Sequence, residues 1–294
     1  MELKAINSKP YISLIIGVIL IGLSPILIKL AHAPGVVTAF YRLSIGTLGL
    51  IIPFIVSLRN LEKPISKRGI LLAFLGGICL ASDMALWTTG IVASNATLPT
   101  LVGNMAPIWV GLGALLIFKE KQGFGFWSGL FLAIIGLVLL ASKDVFKSDG
   151  TVKGIILGLL AGIFYAGFLL FTQSGRQYLN TISYLFISSL STTIVLGIFM
   201  LLFKYEFTGY DNYTWGLWII MGLGFQIGAW YLINYSQGYL PASLVSPTLL
   251  GQPVVTAIVS FLFLREIFSF THILGGIIIM GGIYWVHFSR MNNL

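Results

Sequence analysis

The chain has 294 residues, of which 57% are apolar and 9% charged, with a formal net charge of +8 and a mean hydropathy of +0.97. An ordinary soluble domain carries roughly 25% charged residues, so these figures exclude a water-soluble globular fold and predict an integral membrane protein. The lone cysteine, Cys79, excludes a disulfide framework or a cysteine-built metal site within one chain, and the scattered basic residues form no stripe suited to nucleic acid.

Apolar segments of about 20 residues, each enough to cross about 30 Å of hydrocarbon, fall at 11–31, 36–57, 69–91, 96–118, 124–142, 154–173, 182–203, 214–236, 242–264 and 270–288. Ten spans use up nearly all of the chain. The first is too long for a removable leader and is not followed by a small-residue cleavage site, so it is expected to stay as a helix. Span two carries Tyr41-Arg42. Span three, within GILLAFLGGICLASDMALWTTGIV, carries Asp83 in a run otherwise suited to lipid. At 1.5 Å per residue Asp83 lies roughly 12 Å from the outer end of its span and Arg42 roughly 9 Å from the outer end of span two. A lone charge in hydrocarbon is costly, so both must pair, face the protein interior or line a wet cavity. Two readings stand: a shared place in the outer half of a central cavity, or a structural ion pair between spans two and three.

Span four holds Asn104 and Pro107 and ends on Lys119-Glu120; span nine holds Gln252 and Pro253 and ends on Arg265-Glu266. The two prolines sit mid-helix, where each removes a donor and bends the helix, as a hinge or as a packing kink. Glu120 and Glu266 read as caps or loop clamps rather than catalytic acids. Span eight places Gln226, Trp230 and Asn234 at i, i+4 and i+8, one helical face. With Asp83, Arg42, Trp87, Asn104, Tyr165 and Gln252 they form the candidate wall of a substrate and proton pathway; singly, each also reads as interfacial anchor or helix glue. Small-residue spacings (Gly154, Gly158 and Gly162 on span six, Gly129 and Gly136 on span five, Gly275 and Gly282 on span ten) mark close helix contacts. Spans five and ten are therefore candidate seams, including for a homodimer.

With the N-terminus inside, the inner segments hold Lys4, Lys9, Arg59, Lys63, Lys67, Arg68, Lys119, Lys121, Arg176 and Arg290, against Lys29, Arg42, Lys143, Lys147, Lys153, Lys204 and Arg265 outside. The bias is clear through the first four loops and predicts both termini in the cytoplasm.

Sliding the chain by 146 aligns Gly76 with Gly222, Leu86 with Leu232, Ala96 with Ala242, Leu98 with Leu244, Pro107 with Pro253, Leu116 with Leu262, Glu120 with Glu266, Gly129 with Gly275 and Gly136 with Gly282, without a gap. Two units follow, 1–148 and 149–294. Each has five helices, an odd number, so the second enters the membrane upside down. The predicted fold is thus an all-α integral membrane protein of ten transmembrane helices in two inverted five-helix repeats, an architecture that supplies inward-open and outward-open packings around a midplane site.

The segments SPILIKLAHAPGVVTAFYRL, SDMALWTTGIVASNATLPTLVGNMAPIWVGLGALLIFKEK, GIILGLLAGIFYAGFLLFTQ and LPASLVSPTLLGQPVVTAIVSFLFLREIFS, with a proline followed thirteen residues later by glutamate in each half, give the whole chain a family likeness. It resembles a ten-helix member of the drug/metabolite transporter superfamily, of the EamA type. The resemblance implies a bacterial inner-membrane permease for small metabolites, amino acids or drugs, often exporting, with no ATPase domain and no cofactor. Similar bacterial proteins often carry Asp, Trp and Asn where Asp83, Trp87, Asn95 and Asn104 stand, and an aromatic-Arg pair where Tyr41 and Arg42 stand. Many have histidine where this chain has Thr88, so a histidine proton relay does not carry over.

A membrane enzyme is disfavoured: His32, His272 and His287 lie far apart, and no HExxH or paired-aspartate motif occurs. The expected partners are the lipid bilayer, a small-molecule substrate and protons as coupling ion; a channel or a non-transporting sensor is the alternative.

Overall fold

The computed structural model describes residues 8–59, 64–93, 97–142, 152–264 and 270–291, and among them all regular structure is helical. The chain runs through α1 (Lys9–Leu30), α2 (Gly35–Arg59), α3 (Lys67–Ala93), α4 (Thr97–Gly103), α5 (Ala106–Phe118), α6 (Phe124–Leu140), α7 (Val152–Gly175) and α8 (Thr181–Leu202). It continues through α9 (Asn212–Ile220), a π-helical stretch (Met221–Ala229), α10 (Trp230–Gln237), α11 (Ala242–Leu249), α12 (Gly251–Leu264) and α13 (Phe270–Met291). Among the described residues nine stretches are long and apolar enough to cross a bilayer, and α6 adds a shorter apolar helix of 17 residues.

Local chemistry sets several of the ends. Proline stands in the first turn of α1, where its missing N–H costs nothing. Asn180 caps α8 by accepting from the Ser183 N–H at 2.8 Å, and Asp211 caps α9 by accepting from the Thr214 N–H at 2.8 Å. Lys119 closes α5 in the left-handed conformation, φ 58°, so that the Glu120 N–H turns back to the Ala114 carbonyl.

Two predicted spans are interrupted, which corrects the expectation of proline bends inside continuous helices. Pro107 has no N–H to return to the carbonyl one turn earlier; α4 therefore stops at Gly103, the chain turns through Asn104 and Met105, and α5 restarts with Pro107 in its first turn. The same happens 146 residues on, where α11 ends at Leu249 and α12 begins at Gly251, two residues before Pro253.

The packing of helices exchanges consistently under that shift. α3 packs on α7 and α8, as α1 and α2 pack on the π-helical stretch; α4 and α5 lie on α7, as α11 and α12 lie on α1. Two contacts join counterparts directly, α2 with α8 and α6 with α13, while α5 meets α11, the counterpart of α4. In the first, the Thr47 and Thr193 hydroxyls meet at 3.4 Å and the rings of Phe54 and Phe186 stack at 4.3 Å, so the helices run antiparallel.

The α6–α13 seam is built on absent side chains. A Cβ at Gly136 would lie 2.6 Å from the Ile279 nitrogen and 2.7 Å from the Gly275 oxygen; one at Gly275 would lie 2.6 Å from the Leu140 nitrogen and 2.7 Å from the Gly136 oxygen. Gly129 and Gly282 face each other in the same way, and backbones approach closely as small-residue interfaces allow. These glycine faces meet each other within one chain, as a helix-helix seam. The core holds Leu14, Leu43, Leu50, Leu169, Leu196 and Trp218, while residues such as Leu116 (80% exposed) and Phe124 (85%) turn outward to form the apolar belt of a membrane protein.

Candidate functional site

Asp83 and Arg42 are both half-buried inside their helices, and Arg42 Nε is sealed with no partner among the protein's groups. They interact electrostatically, yet among the described residues no ion pair within 4.0 Å joins them. Instead, Arg42 Nη1 donates to Ser24 Oγ at 3.0 Å, which ties α2 to α1. The Tyr165 hydroxyl of α7 stands near enough to feel the charge of Asp83 and the amide of Gln252, in the first turn of α12. One turn after Asp83, Trp87 Nε1 donates to Thr100 Oγ1 at 2.9 Å, and Asn104 Nδ2 donates to the Thr100 carbonyl at 2.9 Å. The cluster therefore joins α1, α2, α3 and α7 to both helix interruptions.

Span eight behaves differently from its expected single wall. A π-helix has a wider turn than an α-helix, so Gln226, Trp230 and Asn234 take different neighbours. Gln226 (2% exposed) lies between α2 and α8, packing on Gly46 and donating to Ser189 Oγ at 3.4 Å. Trp230 (4%) packs edge-on to Phe168, and the Asn234 carbonyl accepts from Arg176 Nε at 3.0 Å. Gln226 Oε1, Trp230 Nε1 and Asn234 Oδ1 are sealed with no partner among the protein's groups, a burial that costs about 1–3 kcal/mol per atom.

The two ends of the bundle close by different means. At the end that carries the C-termini of α5, α7 and α13, Glu120 accepts from Gln173 Nε2 at 3.2 Å and from Ser243 Oγ at 3.5 Å. Arg290 lies 3.8 Å from Glu120 and donates to Ser243 Oγ at 2.8 Å, while Gln173 Oε1 takes the Ala242 N–H at 2.6 Å. Glu120 is thus the hub of a latch across four spans rather than a clamp on its own loop. Glu266, its sequence counterpart, and Asn95 lie outside the described residues. At the other end, the segment before α9 folds over Tyr41, whose hydroxyl donates to the Phe207 carbonyl at 2.5 Å. Tyr41 stacks on Trp218 with centroids 4.4 Å apart, and Trp215 stands edge-on at 4.9 Å. Arg42 lies directly beneath this aromatic plug.

Ser24, Thr100, Gln173 and Arg290 escape sequence reasoning. Serine and threonine are common helix glue, and only the helix crossings reveal which of them meet a charge. A cavity of about 400 Å³, mostly apolar, sits between α3, α7 and α8 on Ser82, Ala85 and Thr89, a face of α3 different from Asp83's.

Comparison with known proteins agrees in kind. The EamA-like transporter family matches the chain twice, over residues 8–142 and 152–288. The uncharacterized transporter YdfC of Bacillus subtilis is 24% identical over 260 residues, 87% of this chain and 83% of its own. An uncharacterized transporter of Archaeoglobus fulgidus is 23% identical over 92% of this chain and 93% of its own; a WAT1-related protein of Arabidopsis thaliana is 26% identical over 78% and 71%. A crystal structure 14% identical in sequence shares the fold, with a TM-score of 0.82 over 96% of this chain and 99% of that one.

Proposed function

This chain belongs to the EamA-like transporter family, and on that premise we propose that it is a secondary transporter of small metabolites, amino acids or drugs, working by alternating access. The moving parts are two inverted five-helix repeats, residues 1–148 and 149–294, with both termini in the cytoplasm of a bacterial cell whose inner membrane it spans.

The observation that carries the proposal is the pair of interruptions at equivalent positions, α4–α5 and α11–α12, beside Asp83. Broken helices at corresponding places in two halves expose backbone groups at membrane depth, which is tolerated where they line a site. Antiparallel contact between α2 and α8, and between α6 and α13, is what inverted halves require. Asp83, Arg42, Tyr165, Gln252, Trp87 and Asn104 supply the polar lining. A carboxylate free of any tight partner suits exchange of a proton for a substrate, because an ion-paired one would be held in a single charge state. The sealed polar atoms of Gln226, Trp230 and Asn234 favour a second packing in which they are satisfied. The Glu120–Arg290 latch and the Tyr41 plug serve as the two closures.

Proteoliposomes loaded with a labelled mixture of amino acids and small metabolites, with and without a pH gradient, test this reading. Saturable, protein-dependent efflux with counterflow is expected, and Asp83→Asn should abolish gradient-driven transport while counterflow persists. The direction of net movement is read from the same assay. Conductance without counterflow would make the protein a channel, and no movement of any solute by folded protein would sink the proposal for those solutes.

A further inference from the structure

Beside the latch, and sharing Arg290 with it, the structure holds a second cavity of about 210 Å³ between the α5–α6 loop and the end of α13. Lys121, Gln122, Ser289 and Arg290 line its polar side beside Gly123, and Leu244, Val286 and the buried Phe126 its apolar side. Arg290 enters already oriented, since Ser243 Oγ accepts from its Nη1 and Glu120 lies by its Nη2 on the latch side. Lys121 is exposed and adds a second cation. α6 starts at the rim with no side-chain cap and no acidic residue in its first turn, so the positive end of the helix adds to the same potential.

Its position selects the ligand. Phe124, 85% exposed, follows the lining residue Gly123 in the chain, and Leu116 and Ile117, 80% and 62% exposed, continue the apolar surface along α5. Trp285 and Phe288, also outward, flank the end of α13. Two cations therefore sit where the apolar belt gives way to polar loops, the level of a lipid phosphate, with a greasy surface leading away for acyl chains. Basic pockets between helix ends at this depth take anionic headgroups. We infer that this cavity binds the phosphate of one anionic phospholipid, held between Lys121 and Arg290, with its chains along Phe124 and α5. The inference stands apart from the transport reading and requires no substrate.

Native mass spectrometry of the full chain, titrated with phosphatidylglycerol, with phosphatidylcholine or with inorganic phosphate alone, tests it. One tightly retained phosphatidylglycerol per chain is expected, preferred about twenty-fivefold over phosphatidylcholine, as two lysine-sized attractions of about fivefold each imply. Lys121→Gln should weaken it about fivefold and Lys121→Arg should restore it, whereas Lys204→Gln, an exposed lysine at the other end of the bundle, should leave it unchanged. Arg290→Gln, checked for monodispersity because it also loosens the latch, should likewise weaken it about fivefold. Equal retention of both lipids, or loss in Lys204→Gln as large as in Lys121→Gln, would overturn the site. Binding of inorganic phosphate as tight as that of the lipid would overturn the lipid as its occupant.

Discussion

Gly275→Ala tests the close approach of α6 and α13. The added Cβ would lie 2.6 Å from the Leu140 nitrogen and 2.7 Å from the Gly136 oxygen, against about 3.4 Å for ordinary contact, so α6 and α13 must part by about 0.8 Å, the difference between 3.4 and 2.6. Both neighbours are backbone, with no flexible side-chain end to swing aside. Overpacking of this kind costs about 1–3 kcal/mol, and alanine's better helix propensity returns at most about 1 kcal/mol; because the obstacle is rigid we expect a net loss of about 2 kcal/mol. Gly136→Ala should cost the same, since its surroundings mirror those of Gly275. The double variant should cost less than the sum, because one separation relieves both clashes. Gly281→Ala, with nothing within 4 Å of its Cβ, is the control and should be neutral or slightly stabilising. Unfolding in mixed detergent and SDS micelles, followed by far-ultraviolet circular dichroism, measures all four. A Gly275→Ala protein as stable as the wild type would refute the tight seam, and an additive double variant would refute the shared crossing.

Further outcomes follow from the ends of the bundle. Tyr41→Phe keeps the ring against Trp218 but loses the bond to the Phe207 carbonyl; it should cost about 1 kcal/mol and speed hydrogen exchange in residues 203–211. Asn180→Ala removes the α8 cap and should cost about 1 kcal/mol, read from the same micelle titration. Hydrogen bonding from Thr214 holds the Asp211 carboxyl below the usual carboxylate range. Its folded pKa being the lower one, its contribution is complete above about pH 4 and is lost as pH falls through the folded value. Thermal melts from pH 6 downward should show that loss in the wild type and lack it in Asp211→Asn.

Much of this was legible in the chain itself, for physical reasons. Hydropathy finds helices that must be apolar throughout to lie in lipid, and the shift of 146 finds the duplicated pattern because glycines at a backbone crossing admit no substitute. Pro107 and Pro253 mark the right places, but a missing N–H does not say whether a helix bends or stops; the turn at Asn104–Met105 depends on what packs around it. The wall expected on span eight dissolves because Gln226, Trp230 and Asn234 are spaced for an α-helix while Met221–Ala229 winds as a π-helix. Arg42 and Asp83 come together from depth alone, whereas Ser24 as the arginine's partner, and Arg290 as Glu120's, emerge only from the crossing of distant spans.

The touching hydroxyls of Thr47 and Thr193 stand 146 residues apart, each the other's counterpart. If the halves trade conformations, that contact maps onto itself, and a substitution made there weighs equally on both facings of the protein. Such a point can stiffen or loosen the machine but cannot tilt it. A preference for one facing must reside where counterparts differ, as Asp83 differs from Ala229 and Arg290 from Asp144, because only unequal interactions shift an equilibrium between two states. Direction of transport is thereby concentrated in a short list of mismatched pairs, readable by swapping each residue with its counterpart.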